Sequence, residues 1–274
     1  MNIQTLTKTL IDSGIEENEA KIEIKMLLEH FCNYTESDKI KGIELNQSQL
    51  DLIKEKVTLR VEKRLPIQYI TGKTWFFGDF YKVTPDVLIP RDETEILVRK
   101  TIEIIKAEAF EDILDIGTGS GCIACSIAKN TNATVLGVDI SSDALRIALD
   151  NVTSLGINNK AIFRKSNLFE KIREGETFDM IVSNPPYIPY GTKLSEEVMQ
   201  EPKIALFAEN NGLSIYQQII KDAPKYLNNG GYLLFELGID ESDAVRDMLR
   251  KDFKDIEIVK DLAGIDRVIL GKLK

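Results

Sequence analysis

Over the first 70 or so residues the apolar positions recur at helical spacing. Ile24, Leu27, Leu28 and Phe31 fall at i, i+3, i+4 and i+7, one stripe of an amphipathic helix. Leu50, Ile53, Val57 and Val61 repeat the spacing further on, and Gly14, Gly42 and Pro66 punctuate the pieces. Nothing in this stretch alternates like a strand, so residues 1–70 are predicted to form a small bundle of short helices. The character then changes. Trp75-Phe76-Phe77-Gly78-Asp79-Phe80-Tyr81-Lys82-Val83 is aromatic-rich with a Gly-Asp turn inside it, the pattern of a β-hairpin. Its aromatic residues could form a core or an exposed contact surface, and a core is expected for most of them. Pro85 and Pro90 bracket Val87-Leu88-Ile89 as a short strand, ahead of a helix expected to begin near Asp92. Residues 71–90 therefore read as a hairpin bridge between a helical domain at 1–70 and a larger one at 91–274.

From about residue 110 the rhythm is strand, turn, helix. Ile113-Leu114-Asp115-Ile116, Val135-Leu136-Gly137-Val138 and Met180-Ile181-Val182 are short apolar runs suited to a buried parallel sheet. Helical patterns run from Ile123 to Lys129, Ala144 to Leu155 and Leu213 to Leu227. The alternation predicts an α/β fold with a doubly wound, mostly parallel sheet. At the end, Ile256–Val259 and Arg267–Leu270, separated by a loop with Gly264, suit an antiparallel pair at the sheet edge.

Composition narrows the class. The chain has 274 residues, 43% of them hydrophobic and 29% charged, as in an ordinary core-forming protein. Its 35 basic and 44 acidic residues leave a net charge of −9. A chain this acidic is not a non-specific nucleic-acid coat, which needs a broad field of Lys and Arg. Apolar runs such as Tyr232–Leu237 are far short of the roughly 20 residues that span a bilayer, so no membrane partner is expected. Met1-Asn2-Ile3-Gln4 lacks a signal-peptide pattern, and three cysteines make no disulfide framework. A cytoplasmic location is the expectation.

Three segments carry candidate chemistry. Asp115-Ile116-Gly117-Thr118-Gly119-Ser120-Gly121 follows a strand and precedes a helix, and its alternating glycines allow a tight turn and close approach of a ligand to the main chain. It is not a dinucleotide fingerprint, because Cys122 stands where the third glycine of G-x-G-x-x-G belongs. Asp139, about 20 residues on, ends the next strand. There it could accept from both hydroxyls of a ribose, or cap the following helix. Asn184-Pro185-Pro186-Tyr187 ends a third strand, and its two prolines fix φ and remove two N–H donors. The side-chain oxygen of Asn184 and the carbonyl of Pro185 then form a rigid pair of acceptors, able to take one hydrogen each from a planar –NH₂ group.

Asp115 to Gly121 with Asp139 resembles the S-adenosylmethionine site of class I methyltransferases, and Asn184 to Tyr187 resembles the motif of those that methylate planar nitrogens. Val87-Leu88-Ile89-Pro90-Arg91-Asp92-Glu93-Thr94-Glu95, Glu201-Pro202 with Ala205-Leu206, and Asp261 to Val268 narrow the match. Over nearly its whole length the chain resembles the release factor glutamine methyltransferases of the HemK type. The resemblance implies a seven-stranded class I methyltransferase sheet, a helical substrate-recognition domain, and methyl transfer to the glutamine of the Gly-Gly-Gln loop in class 1 peptide chain release factors. It implies S-adenosylmethionine bound by Asp115, Gly117, Thr118, Gly119, Gly121, Asp139, Asn167, Leu168 and Asn184, leaving S-adenosylhomocysteine as product. Catalysis would fall to Asn184, Pro185 and Tyr187, the tyrosine packing against the amide. Substrate contacts would come from Arg91, Glu93, Thr94, Pro186, Tyr187, Glu201 and Pro202. Asp92 departs from the family's usual proline, and Asn167 from a common aspartate.

The alternative is a DNA or RNA amino-group methyltransferase, because adenine and guanine offer similar –NH₂ groups. That reading needs a basic strand channel and an added recognition region, and the chain is acidic with no large insertion after Tyr187, so no direct DNA binding is expected. Arg91, Glu93 and Thr94 could equally be a capped helix start with acidic residues in its first turn. Cys122 and Cys125 read as packing residues rather than a zinc site, no metal being expected. His30 is structural or solvent-facing, and Asp240-Glu241-Ser242-Asp243 reads as a solvated helix start.

Overall fold

The structure, a computed structural model, describes residues 2–274. Five helices open the chain: α1 (Ile3–Asp12), α2 (Glu17–Cys32), α3 (Glu36–Ile40), α4 (Gln47–Glu62) and α5 (Ile67–Thr71). Strands β1 (Lys73–Phe76) and β2 (Asp79–Lys82) follow. Next come α6 (Thr94–Glu108), β3 (Asp112–Ile116), α7 (Cys122–Asn130), β4 (Thr134–Asp139), α8 (Ser142–Ser154), β5 (Ala161–Lys165) and β6 (Phe178–Ser183). The chain ends through β7 (Ile188–Pro189), α9 (Lys203–Leu206), β8 (Phe207–Ala208), α10 (Ser214–Asp222), β9 (Leu227–Glu236), α11 (Ser242–Leu249), β10 (Phe253–Lys260) and β11 (Asp266–Leu273).

Contacts divide the chain into two compact units. One holds residues up to Lys73 together with Leu194–Gln200, and the other holds Thr74–Lys193 and Glu201–Lys274. In the helical unit the two apolar stripes meet, with Ile24, Leu27, Ile53 and Val57 buried in a common core with Leu6 and Leu10. Caps define the ends: Asn46 and Gln49 form a reciprocal capping box at the start of α4, as Thr35 and Asp38 do at α3. Arg60, buried, donates from Nε to Glu23 Oε1 at 2.9 Å and from Nη1 to Glu197 Oε1 at 3.0 Å. Arg64 pairs with Glu196 at 3.0 Å. Two arginines of α4 and its exit therefore hold the distant segment Leu194–Gln200 in this unit.

The larger unit is built on a seven-stranded sheet in the order β10-β11-β9-β6-β3-β4-β5. β9, β6, β3, β4 and β5 run parallel, and β11 pairs antiparallel with both β9 and β10, as the terminal pattern predicts. Side chains alternate across the sheet. Met180 and Val182 of β6 enter a core with α6 and α7, while Ile181 enters a core with α10 and α11. β4 and β5 extend the sheet on one side of β3, and β6 returns to the other, which places the topological switch point, the expected ligand crevice, at the carboxyl ends of these strands.

Five local expectations need correction. The hairpin turns at Phe77-Gly78, not at Gly-Asp: both residues have positive φ, 48° and 88°, as a two-residue type I′ turn requires. That register buries Phe76 and Tyr81 but leaves Trp75 and Phe80 each 56% exposed, edge-to-face at 4.9 Å. Val87-Leu88-Ile89 is not a strand, because the flanking prolines cannot serve a ladder; the segment is an extended strap whose Ile89 N–H donates to Glu201 Oε2 at 3.0 Å. The helix after it starts at Thr94, and the pattern ending at Leu227 breaks at Pro224 into a 3-10 turn, Leu227 opening β9. Finally, Glu241 is not solvated: it is 9% exposed and accepts from Gly238 N–H at 2.9 Å.

Candidate active site

The glycine loop leaves the end of β3 under three restraints. Gly117 and Thr118 N–H both donate to the Val138 carbonyl of β4, at 2.9 and 3.0 Å. Thr118 Oγ1 donates to Asp115 Oδ2 at 2.6 Å, with both residues buried. Burial pushes the Asp115 carboxyl up to about 7, and hydrogen bonds from Thr118 and the Ala124 main chain pull the other way. Gly117, Gly119 and Gly121 have φ of 74°, 54° and 78°, the left-handed region open to glycine. A Cβ on Gly117 would meet no atom within 4 Å and one on Gly119 only the Gly117 carbonyl at 3.9 Å, so the space above the loop is open to a ligand.

Asp139 ends β4 beside this loop. Its Oδ2 accepts from Gly119 N–H at 2.9 Å and its Oδ1 from Ser141 N–H at 2.8 Å. The helix cap falls to Ser141, whose Oγ accepts from Ala144 N–H at 3.1 Å, so Asp139 is not needed for it. Burial raises the Asp139 carboxyl above its ordinary value, and these N–H donors oppose the rise. Each oxygen keeps a lone pair for a further donor, the requirement for holding a ribose diol. Asn167 Nδ2 donates to Glu170 Oε1 at 2.9 Å, which leaves Asn167 Oδ1 as the amide atom available to a ligand.

Asn184 follows β6, whose last residue, Ser183, donates from Oγ to the Ile116 carbonyl at 2.7 Å and locks the strand end to β3. Asn184 Nδ2 donates to Thr94 Oγ1 at 3.2 Å. In this arrangement Oδ1 is the end left for a ligand. Among the described residues no N–H of the main chain donates to the Pro185 carbonyl.

These groups line one cavity of about 350 Å³, a size suited to a nucleoside-sized ligand. Gly117, Gly119, Asp139, Asn167 and Leu168 face it, as do Asn184, Pro185, Pro186 and Pro202. The other sequence-derived candidates stand behind the wall. Asp115 and Thr118 brace the loop, and Gly121 packs where a Cβ would lie 3.0 Å from Ala148 and Phe163. Thr94 is buried behind Asn184. Arg91 pairs with Glu201, which is 3% exposed and also takes the Ile89 N–H. Glu93 faces Arg267 at 3.5 Å, and Arg267 in turn holds Asp261 at 2.8 Å. Tyr187 lies outside the lining, its hydroxyl donating to Glu236 Oε1 at 3.4 Å.

Sequence reasoning missed the apolar part of the wall. Val87 and Leu88 come from the strap, Ile140 follows Asp139, and Ile204, Ala205 and Ile215 come from α9 and α10. Ile140 and Ile204 are 45% and 59% exposed, and single apolar residues in loops leave no periodic trace in a sequence. Cys122 and Cys125 are buried, and burial pushes the Cys122 thiol up to about 12, as befits a side chain used for packing. Among the described residues no group of three His, Cys, Asp or Glu side chains could hold a metal ion, and no helix is long and apolar enough to cross a membrane.

Residues 93–266 match the family described as methyltransferase small domain. A release factor glutamine methyltransferase of Fusobacterium nucleatum is 40% identical over 234 residues, which span 84% of this chain and 66% of that protein. The protein of the same description from Geobacter sulfurreducens is 38% identical over 273 residues, 96% of this chain and 93% of its own. Among solved structures, the T. thermophilus 16S rRNA N2 G1207 methyltransferase in complex with AdoMet and guanosine superposes with a TM-score of 0.55 at 19% identity, covering 74% of this chain and 50% of that one, a likeness of fold. The seven-stranded sheet is that of the class I methyltransferases, and the chain belongs to the release factor glutamine methyltransferase family.

Proposed function

We propose that the protein methylates the side-chain amide nitrogen of the glutamine in the Gly-Gly-Gln motif of peptide chain release factors, with S-adenosylmethionine as methyl donor. The observation that carries the reading is the orientation of Asn184. Its Nδ2 is committed to Thr94, so Oδ1 and the Pro185 carbonyl form the acceptor pair that a planar –NH₂ requires. Relatives named as release factor glutamine methyltransferases across almost the full length of the chain support a glutamine amide as the acceptor over a nucleobase.

The residues present fit the cofactor. Gly117 and Gly119 leave open space at the loop, Asp139 keeps a lone pair on each oxygen for the ribose hydroxyls, and Asn167 Oδ1 suits an adenine amino group. S-adenosylmethionine supplies an electrophilic methyl group on a sulfonium. The rest is the work of the chain. An amide nitrogen is a poor nucleophile because its lone pair is delocalised into the carbonyl. Asn184 Oδ1 and the Pro185 carbonyl each accept one N–H, fix the nitrogen and stabilise the positive charge that grows on it as the new bond forms. The two prolines make these acceptors rigid, so positioning supplies much of the rate. The alkylated nitrogen then loses a proton to solvent without a dedicated base. Tyr187, anchored through its hydroxyl, stiffens the loop from behind. The helical unit is left to recognise the body of the release factor.

Incubation with methyl-labelled S-adenosylmethionine and either purified release factor or ribosomal RNA tests this. Label on the glutamine of the Gly-Gly-Gln peptide is the expected result. Label on RNA alone, or on neither, overturns it.

A further inference from the structure

We infer that Glu236 is a positioning residue that decides, through Thr94, which end of the Asn184 amide faces the substrate. The inference rests on the proposed amide chemistry and adds a group that does not line the cavity. Glu236 is the last residue of β9, 2% exposed, and its Oε1 accepts from the Tyr187 hydroxyl at 3.4 Å. Its Oε2 is buried with no hydrogen-bond partner, so the ionised carboxylate lacks a donor there; the Thr94 hydroxyl, which takes Asn184 Nδ2–H, is the group beside it that opposes the rise of its carboxyl. One buried carboxylate thus stands behind both side chains of the catalytic loop that carry polar atoms.

Proton counting gives the consequence. A hydroxyl has one proton to donate, and a carboxylate can only accept. While Glu236 is ionised, the Thr94 proton is drawn to it and the Thr94 lone pairs face Asn184. Only the –NH₂ end of the Asn184 amide can then meet Thr94, and Oδ1 is forced toward the cavity as an acceptor. Once Glu236 is protonated it can donate to Thr94, which frees the Thr94 proton for Asn184 Oδ1. The amide can then turn over and oppose N–H to the N–H of the glutamine. Turnover therefore needs the ionised form.

Several groups face Glu236. Burial pushes its carboxyl up to about 7, with Glu93 at the start of α6 adding to the rise. Thr94, Tyr187 and Arg267 of β11 oppose it. Cys122 of α7 and Tyr216 of α10 also lie within its field, and Tyr216 donates its hydroxyl to the Glu236 main-chain carbonyl at 2.8 Å. The titration accordingly falls in the neutral range, where an enzyme can feel it.

Two readouts test this, one independent of turnover. In protein selectively labelled with ¹⁵N-asparagine and free of cofactor, the Asn184 side-chain amide signal, assigned by its loss in Asn184→Ala, should shift between about pH 5.5 and about pH 8.5 with a midpoint near 7. In Glu236→Gln, which cannot ionise, the signal should stay constant. In parallel, kcat at saturating substrates should show an acid limb near pH 7 that Glu236→Gln abolishes, with turnover lowered about tenfold at high pH and cofactor affinity unchanged. Thr94→Val should lose the limb in the same way, and Thr94→Ser should restore it, so that a folding failure of one variant leaves the other pair to decide. An amide signal indifferent to pH, or Glu236→Gln and Thr94→Val retaining the wild-type limb, overturns the inference. Absence of release-factor methylation by the wild type, with the amide titration still present, overturns the proposed function and leaves the inference standing.

Discussion

Asn184 joins two requirements in one side chain: it must accept from the substrate at Oδ1 and be held there through Nδ2. Truncation removes both. Asn184→Ala should lower turnover about a hundredfold or more, because a preorganised acceptor aimed at developing charge is lost. Cofactor affinity, carried mainly by the glycine loop and Asp139, should change less than about threefold by calorimetry. Near-normal turnover would remove Asn184 from the mechanism. Residues of this kind were legible in the sequence because the chemistry demands scarce patterns: three alternating glycines after a strand, an acidic residue ending the next strand, and Asn before two prolines. The residues behind them were legible only in part. Thr94 stood out as a substrate contact implied by the resemblance, not as the partner of Asn184, and Glu236 is a common type with no local pattern; the fold brings them from 90 and 52 positions away into the neighbourhood of Asn184. Arg91 and Glu201 stood out separately, as substrate contacts implied by the resemblance; their pairing with each other, and the bond from the Ile89 N–H of the strap to Glu201, come only from the fold.

Elements, rather than residues, set the shape of the cavity, and one buried amide ties three of them together. Asn151 of α8 is 1% exposed. Its Oδ1 accepts from Lys82 N–H at 2.7 Å, and its Nδ2 donates to the carbonyls of Lys82 and Ser120 at 3.0 and 2.9 Å. It thus clamps the hairpin and the glycine loop to one helix. Asn151→Ala would take this partner from three main-chain groups, the Ser120 carbonyl buried and the two of Lys82 partly buried, which costs about 2 kcal/mol in urea unfolding. Cofactor affinity should fall as well, since the loop loses the restraint at Ser120. A variant with wild-type stability and affinity would show that the clamp is redundant. Helices and strands were predicted from their periodicity, and the terminal strands pair antiparallel at the sheet edge as that reading expects. What failed was register inside short segments: moving the hairpin turn to Phe77-Gly78 sends Trp75 and Phe80 outward, which no alternation within a run of aromatics could reveal.

At the scale of the whole molecule, the clearest feature invisible in the sequence is Leu194–Gln200, a stretch between Tyr187 and Glu201 that belongs with the helical unit through Arg60 and Arg64. The −9 charge hid another. Not all the carboxyls behave as solvated charge, for burial pushes Asp115, Glu236 and Glu241 each up to about 7. In the unfolded chain these groups lose their protons by about pH 5, whereas the folded protein keeps them until about pH 7. Between those values the folded state binds more protons, so stability falls as pH rises through the window. Glu176 works in the opposite sense: Arg164 holds its carboxyl down to about 2, so its contribution is present above its ordinary value and is lost only in acid, outside the window. His30, lowered by burial and then by Lys73, opposes weakly because it is largely exposed. The unfolding free energy should therefore be about 2 to 4 kcal/mol higher near pH 6 than near pH 8.5. Glu241→Gln, remote from the cavity wall, should shrink that difference by about 1 kcal/mol. Urea titrations at the two pH values measure both quantities, and a stability that is flat or rising across the window would mean that these three carboxyls are ionised in the folded protein.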